Sequence, residues 1–390
     1  MPFLKRNRPK SRYLFLQYFS FTWLGIVASV LGPLLPAVRT SLKLTYSQAG
    51  FIFACQNLGG LAILFISGFL VQRFGKQVVL RLGFLLLGLG LFLAAVGLWY
   101  ALILLAYALI GSGFSLLDVG ISTICLELNI RQRGKALNRL HFFFGLGAIS
   151  GPLLAFFFSN FTSGWRWALG LTAVGPSFLL LYLLPQRLPP SPKQSFTKSL
   201  GIYRKPLLWS AALTLCFYCG LEWGIGSWFA SWWKENANSV FLDPSLLTSL
   251  FWLSFTVGRF LTSLSVEGLG LSRFLLSSFF LSSILLLLWQ VFPEPLSTLI
   301  IILSLAIVIA GQYPTIVALG SQPFRKSSGQ VTSFLSLFAV IGSAIWPSLI
   351  GVWADEAGLK ALILAELILC LVLSSSGIIT ILLSRKLNRK

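Results

Sequence analysis

Residues 67–80 read SGFLVQRFGKQVVL. The stretch is mostly apolar, yet Arg73 and Lys76 stand in its middle, and Gly68 and Gly75 lie seven positions apart. What surrounds this basic, glycine-bearing interruption is decided by the rest of the chain. Of 390 residues, 56% are hydrophobic and only 10% charged, far below the roughly 25% of a soluble domain. A soluble protein of this length has too little interior to bury so much apolar surface, so the solvent is lipid.

A bilayer core of ~30 Å takes about 20 apolar residues per helical span. The sequence predicts twelve spans, at 14–37, 49–71, 79–99, 101–129, 138–160, 165–184, 207–233, 246–266, 273–292, 296–319, 330–353 and 359–384. The runs are continuous, without the period-two alternation of barrel strands, which predicts helices. The basic start, Lys5 to Arg12, leads straight into a full-length span and not into a short apolar region with a cleavage site; no signal peptide is expected. The five cysteines, at 55, 125, 216, 219 and 370, all fall within spans. Cys216 and Cys219 have CxxC spacing but no neighbouring ligands, and are expected to pack.

The net charge is +20, and its placement serves topology. With a cytoplasmic N-terminus, 25 of the 30 Lys/Arg fall on the cytoplasmic side, Arg73, Lys76, Arg259 and Arg273 among them. Arg39, Lys43, Arg166, Lys234 and Lys360 fall outside. This positive-inside bias predicts both termini in the cytoplasm and an even span count. The cationic side suits anionic lipid, and a nucleic-acid partner is not expected. The expected setting is a bacterial cytoplasmic membrane, with the chain working as a monomer.

Residues 185–206, PQRLPPSPKQSFTKSLGIYRKP, are rich in Pro, Ser and basic residues, as a linker is. They divide the chain into six spans over 1–184 and six over 207–390. A slide of 195 residues maps Gly25 on Gly220, Gly75 on Gly270, Gly147 on Gly342 and Pro152 on Pro347. The predicted architecture is an all-α integral membrane protein of two pseudo-symmetric six-helix bundles. Internal repeats of this kind mark secondary transporters, in which substrate binds between two rocking halves.

Gly68-x-x-x-Gln72-Arg73-x-Gly75-Lys76 resembles the loop-2/3 signature of the major facilitator superfamily, and it lies between spans two and three, where that signature belongs. The resemblance implies glycines that permit a tight turn and close helix approach. It also implies an Asp making a charge-relay contact across the halves; Gln72 stands in its place here, while the second copy, Ser263-x-x-x-Glu267-Gly268-x-Gly270, keeps an acid. In span four, Gly113-Phe114-Ser115-Leu116-Leu117-Asp118-Val119-Gly120 is similar to the fucose permease branch, with Ser122 where that branch carries an Asn. The resemblance gives Asp118 the place of the proton-coupling acid. His141-Phe-Phe-Phe-Gly145, Phe251-Trp252 with Gly258-Arg259, and Glu222 with Trp228 fit the same sugar-permease-like group.

Ten acidic residues can be weighed one by one. Asp118, Glu127, Glu222 and Glu366 fall inside spans, where an ionisable group costs roughly 2.5–3.5 kcal/mol and is a functional candidate by default. Ser115, Asp118 and Ser122 share one helix face. Glu222, with Tyr218 one turn before it, is a second candidate for proton or hydroxyl chemistry. Glu127 has Arg131 four residues on, a standard helix pair. Glu366 is expected to pack or to face lipid as a neutral acid. Gln56, Asn57, Gln312 and Tyr313 are uncharged candidates for recognising hydroxyls, and Gln56 and Asn57 equally for tying spans together. His141, the lone histidine, is expected to be structural.

Trp99, Trp165, Trp167, Trp232 and Trp233 sit at span ends and read as an interfacial belt. Trp23, Trp223, Trp252 and Trp346 lie deeper; an indole there either packs or covers the apolar face of a sugar ring. No GxxxxGK[ST] loop, metal-ligand set or nucleophile–base pair stands out, so neither ATP hydrolysis, a metal or other cofactor, nor enzymatic catalysis is expected.

The sequence therefore predicts a carrier that moves a small polar solute, a sugar, together with protons by alternating access. Asp118 and Glu222 are the expected proton sites. Ser115, Ser122, Tyr218, Trp223, Gln312, Tyr313, Gln56 and Asn57 are the expected solute contacts. Gly68, Gln72, Arg73, Gly75, Lys76, Gly258, Arg259, Glu267 and Gly270 are the expected conformational residues. A rival expectation is a proton-driven exporter of amphiphilic compounds, because Gly147-Ala-Ile-Ser-Gly151-Pro152 resembles the GxxxGP core of the antiporter signature, though Leu153 and Leu154 follow it in place of glycines. A third is a non-transporting sensor on the same fold.

Overall fold

The computed structural model describes residues 10–128, 133–186, 200–236 and 242–388. Among these, the long elements are all helical: α1 (Lys10–Leu42), α2 (Tyr46–Val96), α3 (Tyr100–Leu128), α4 (Arg133–Phe158), α5 (Gly164–Leu183), α6 (Pro206–Asn236), α7 (Pro244–Leu269), α8 (Leu271–Val291), α9 (Pro295–Ile309), α10 (Gln312–Ser321), α11 (Ser328–Ala357) and α12 (Ala361–Asn388). In hydrocarbon every backbone N–H and C=O must find a partner within the protein, and a helix supplies it locally. Eleven spans are long and apolar enough to cross a membrane among the described residues; the first part of α2 adds the run expected at 49–71. Helix α2 carries two spans broken at Gly75, and α9 with α10 forms one. Most of the expected linker, 187–199, lies outside the described residues.

The 195-residue repeat is present in the backbone. Gly75 has φ 79° and ψ 158°, and Gly270 has φ 78° and ψ 147°. A side chain disfavours this positive-φ region, so glycine is required at both turns. The repeat also appears in packing. A Cβ on Gly147 of α4 would lie 1.8 Å from the Thr22 carbonyl oxygen of α1, and one on Gly342 of α11 would lie 1.9 Å from that of Cys216 in α6. These helix pairs are equivalents in the two halves, and both need the missing side chain to approach so closely.

Two intrahelical prolines leave carbonyls four residues back without their helical donor. Pro176 frees the Thr172 carbonyl, which accepts the Trp23 indole N–H of α1 at 2.6 Å. Pro347 frees the Ser343 carbonyl, which the Asn57 side chain of α2 reaches at 3.4 Å. At these two prolines a neighbouring helix re-satisfies the freed backbone group.

The expected tryptophan belt holds only in part. Trp99 and Trp167 are 73% and 63% exposed, whereas Trp165, Trp232 and Trp233 are buried. Trp232 packs edge-on against Trp289 at 5.2 Å, and the Trp233 indole donates to the Leu242 carbonyl at 3.1 Å. These rings close the end of the C-terminal half instead of standing in the interface. Glu366 does not face lipid either. It is fully buried (0% exposed), accepts from the Trp346 indole at 3.3 Å and packs against Gly224, where a Cβ would meet its Oε1 at 2.1 Å.

Candidate functional site

The two halves meet along α2–α11, α4–α7 and α1–α6. The bonds between them gather from one end of the bundle to its middle. At that end Arg39 of α1 pairs with Glu235 of α6 at 2.9 Å, and the Tyr46 hydroxyl donates to the other Glu235 oxygen at 2.6 Å. The Asp355 carboxylate of α11 accepts the backbone N–H groups of Tyr46 and Ser47, at 2.6 and 3.0 Å. Those groups open α2 and have no helical acceptors of their own, and the positive end of the helix favours a carboxylate. Deeper in, the Ser348 hydroxyl donates to the Gly50 carbonyl at 3.1 Å, and Asn57 and Ser343 bond to each other.

The α4–α7 pair is antiparallel. Ser249 donates to the Ile149 carbonyl at 2.9 Å, and a Cβ on Gly145 would stand 3.1 Å from Thr256 Oγ1. Continuing this register by one turn brings His141 level with Arg259, and the two interact electrostatically. His141 is exposed, with its ring edge-on to Phe21 at 5.7 Å. Arg259 lies near the middle of α7, its guanidinium 4.8 Å from the Phe255 ring centre. Arg259, counted from sequence among the cytoplasmic charges though it falls within the predicted span 246–266, comes within electrostatic reach of Glu222 and Tyr218.

Glu222 on α6 is 6% exposed. The Tyr218 hydroxyl lies beside it, one turn earlier, yet makes no bond of hydrogen-bonding geometry to it or to any other described group. Tyr218 and Tyr313 of α10 meet edge to face at 6.2 Å. Tyr313 is within electrostatic reach of Glu222 in its own half and of Asp118 in the other. Asp118 is half-buried on α3 and has no hydrogen bond or ion pair among the described residues.

The remaining expected solute contacts have other neighbours. Gln312 is buried in the C-terminal half, donating to Ser278 at 2.8 Å; it ties α10 to α8 and does not open toward Asp118. Ser115 stands against Gly60 of α2, where a Cβ would meet its hydroxyl at 2.6 Å. Asn57 ties α2 to α11. Gln56 is part of the close α2–α3 contact, with its carbonyl oxygen 1.6 Å from where a Gly111 Cβ would stand. Trp223 meets Trp252 at 5.9 Å, and Ser122 is half-buried. Side chains at Gly68, Gln72, Glu127 and Arg131 lie outside the described residues, so the Glu127–Arg131 pair does as well. Lys76 is buried and Glu267 exposed. No cluster of three or more metal-ligating side chains occurs among the described residues, and no disulfide joins any of the five cysteines.

Twelve spans in two related halves, closed on each other at one end and each carrying an intramembrane acid, have the architecture of a membrane carrier. Residues 17–239 match the model of the Major Facilitator Superfamily, and the chain belongs to that family of transporters. The chain is 26% identical over 367 residues to Protein TsgA of Shigella flexneri, covering 92% of each. Its fold is similar to a bacterial homologue of the human lysosomal transporter Spinster in an inward-facing, unoccupied conformation, with a TM-score of 0.75, 15% identity and coverage of 97% and 98%. It is also similar to a substituted form of the Escherichia coli fucose:proton symporter FucP, with a TM-score of 0.65, 19% identity and coverage of 95% and 98%.

Proposed function

We propose that this transporter carries a small polar solute, of the sugar type, together with a proton. The carrying observation is that Asp118 and Glu222, one from each half, both come within reach of Tyr313. Glu222 has a counter-charge available in Arg259. Asp118 has none among the described residues, so inside the bilayer its charge would be relieved by a proton or by water. A group that must change protonation as the site changes sides is suited to coupling. Solute hydroxyls would be held by Glu222, Tyr218 and Tyr313, whose polar atoms are not fully engaged.

The positive-inside bias supports a cytoplasmic position for both termini. With that orientation the Arg39–Glu235 and Tyr46–Asp355 contacts would close the outer side, giving an inward-facing conformation. The order of events follows. With the outer side open, Asp118 takes a proton and solute binds between the halves. The outer contacts re-form, solute leaves inward, and the proton follows. The name of the fucose:proton symporter among its structural neighbours supports this class of cargo.

The test is proton movement in proteoliposomes holding an internal pH dye. A panel of sugars added outside is expected to include one that acidifies the interior, and Asp118→Asn is expected to abolish the signal. Proton exit on addition of cationic amphiphiles would favour the exporter reading, whose support is the Gly147–Pro152 segment. In the fold both its glycines pack on α1, Gly147 on Thr22 and Gly151 on Ser29 and Ile26, which accounts for them without export.

A further inference from the structure

A cavity of about 290 Å³ lies at the end of the bundle that carries the last residues of α12, between α7–α8, α10 and α12. Its lining includes Gly270, Ser272, Arg273, Gln322, Ser384 and Arg385. None of this belongs to the solute site. The first turn of α8 opens into the cavity, and Gly270 at its cap position has no side chain to satisfy the free N–H groups. Such an end is an incipient anion site, but it needs further support.

That support is of two kinds. Ser384 is 1% exposed, and its hydroxyl, buried in the cavity wall, has no hydrogen-bond partner among the described residues. A buried polar atom without a partner is costly unless something fills the place. Arg273 and Arg385 are exposed at the rim and form no ion pair or hydrogen bond among the described residues. Glu267, the acid of the preceding turn, is not part of the lining.

The equivalent corner of the N-terminal half shows the contrast. A cavity of about 580 Å³ lies there against Gln77, Arg81, Leu184 and Gln186. Arg81 is already engaged, donating to the Leu183 carbonyl at 3.3 Å, and Gln77 donates to the Gln186 carbonyl. Among the described residues, the chain supplies oxygens to the cation in one half and none to the two cations in the other.

We infer that the Gly270–Arg273–Ser384–Arg385 cavity binds a phosphate group. Two guanidinium forks, free helix N–H groups and hydroxyls suit an anion with several oxygens better than a planar carboxylate. The phosphate can come from an acidic phospholipid or from a soluble phosphate compound. Leu269, an exposed apolar side chain of the lining, offers a path for an acyl chain.

The test uses the full chain in neutral detergent and reads its thermal unfolding midpoint. Short-chain phosphatidylglycerol, short-chain phosphatidylcholine and inorganic phosphate are titrated separately. A saturable rise with phosphatidylglycerol alone assigns a lipid headgroup; a rise with inorganic phosphate as well assigns the phosphate group irrespective of carrier. In either case Arg273→Gln with Arg385→Gln is expected to weaken the apparent affinity at least about tenfold, while Lys360→Gln, at the opposite end, leaves it unchanged. If the double variant does not fold, Arg385→Gln alone, three residues before the end of α12, takes its place. The inference is overturned if neither anion raises the midpoint, or if the arginine variant responds like the parent.

Discussion

Asn57 and Ser343 exchange two hydrogen bonds across the halves: the Ser343 hydroxyl donates to Asn57 Oδ1 at 3.0 Å, and Asn57 Nδ2 donates to the Ser343 carbonyl at 3.4 Å. That carbonyl is the one Pro347 leaves without a helical donor. The tie therefore exists only while the halves are closed at this depth. Asn57→Ala is expected to shift the population away from this conformation by roughly 1 kcal/mol, about fivefold. Distances between spin labels at Lys43 and Lys360 would report it as a longer component; an unchanged distribution would mean the bonds are passive.

Asp355 and Glu235 close the end beyond Asn57, and their contacts differ in kind. The Arg39–Glu235 pair is partly exposed on both sides and is worth little by itself, about 0.2–1 kcal/mol. The Asp355 contact uses two otherwise unpaired backbone donors of α2. Asp355→Asn is therefore expected to open this end more than Glu235→Gln does. The same labels measure both, and a reversed order would refute the comparison.

Arg259 and Glu222 are expected to act as a unit. Arg259→Gln leaves a buried carboxylate without its counter-charge, and Glu222→Gln leaves an intramembrane cation. Each single change should lower the folded yield and solute uptake more than the double change does relative to their sum. A double-mutant cycle with a coupling of about 1 kcal/mol or more is expected; additivity would separate the two residues.

Trp23→Phe retains the ring but removes the donor to the Thr172 carbonyl. The loss is expected to be roughly 1–3 kcal/mol, because the carbonyl freed by Pro176 is then unpaired in a dry place. Thermal unfolding in detergent measures it, and pairing the change with Pro176→Ala, which restores the helical donor, should recover much of the loss.

The spans were legible because lipid demands long apolar helices whatever their partners, and Gly75 and Gly270 because a positive φ leaves glycine alone suited. Asp118 and Glu222 stood out for the same reason, since charge is rare in hydrocarbon. Arg259 did not. It falls inside the predicted span 246–266, but its partners Glu222 and Tyr218 lie on another helix and are not visible in the sequence. Its level beside His141 follows only from the α4–α7 register. Trp23 and Asn57 were ambiguous because their purpose lies in a carbonyl 149 or 286 residues away. Gln312 read as a solute contact because its partner, Ser278, is likewise distant in the chain.

The matched turns at Gly75 and Gly270 bear on ancestry. Their side chains have drifted, Arg73 and Lys76 facing Gly268 and Leu271 at the same offset, while the backbone has kept one conformation. A gene that doubled and fused would leave this record, because a single glycine codon is enough to preserve the bend while the flanking positions diverge. The two copies have since been free to specialise, one facing its own linker and the other left with unsatisfied cations.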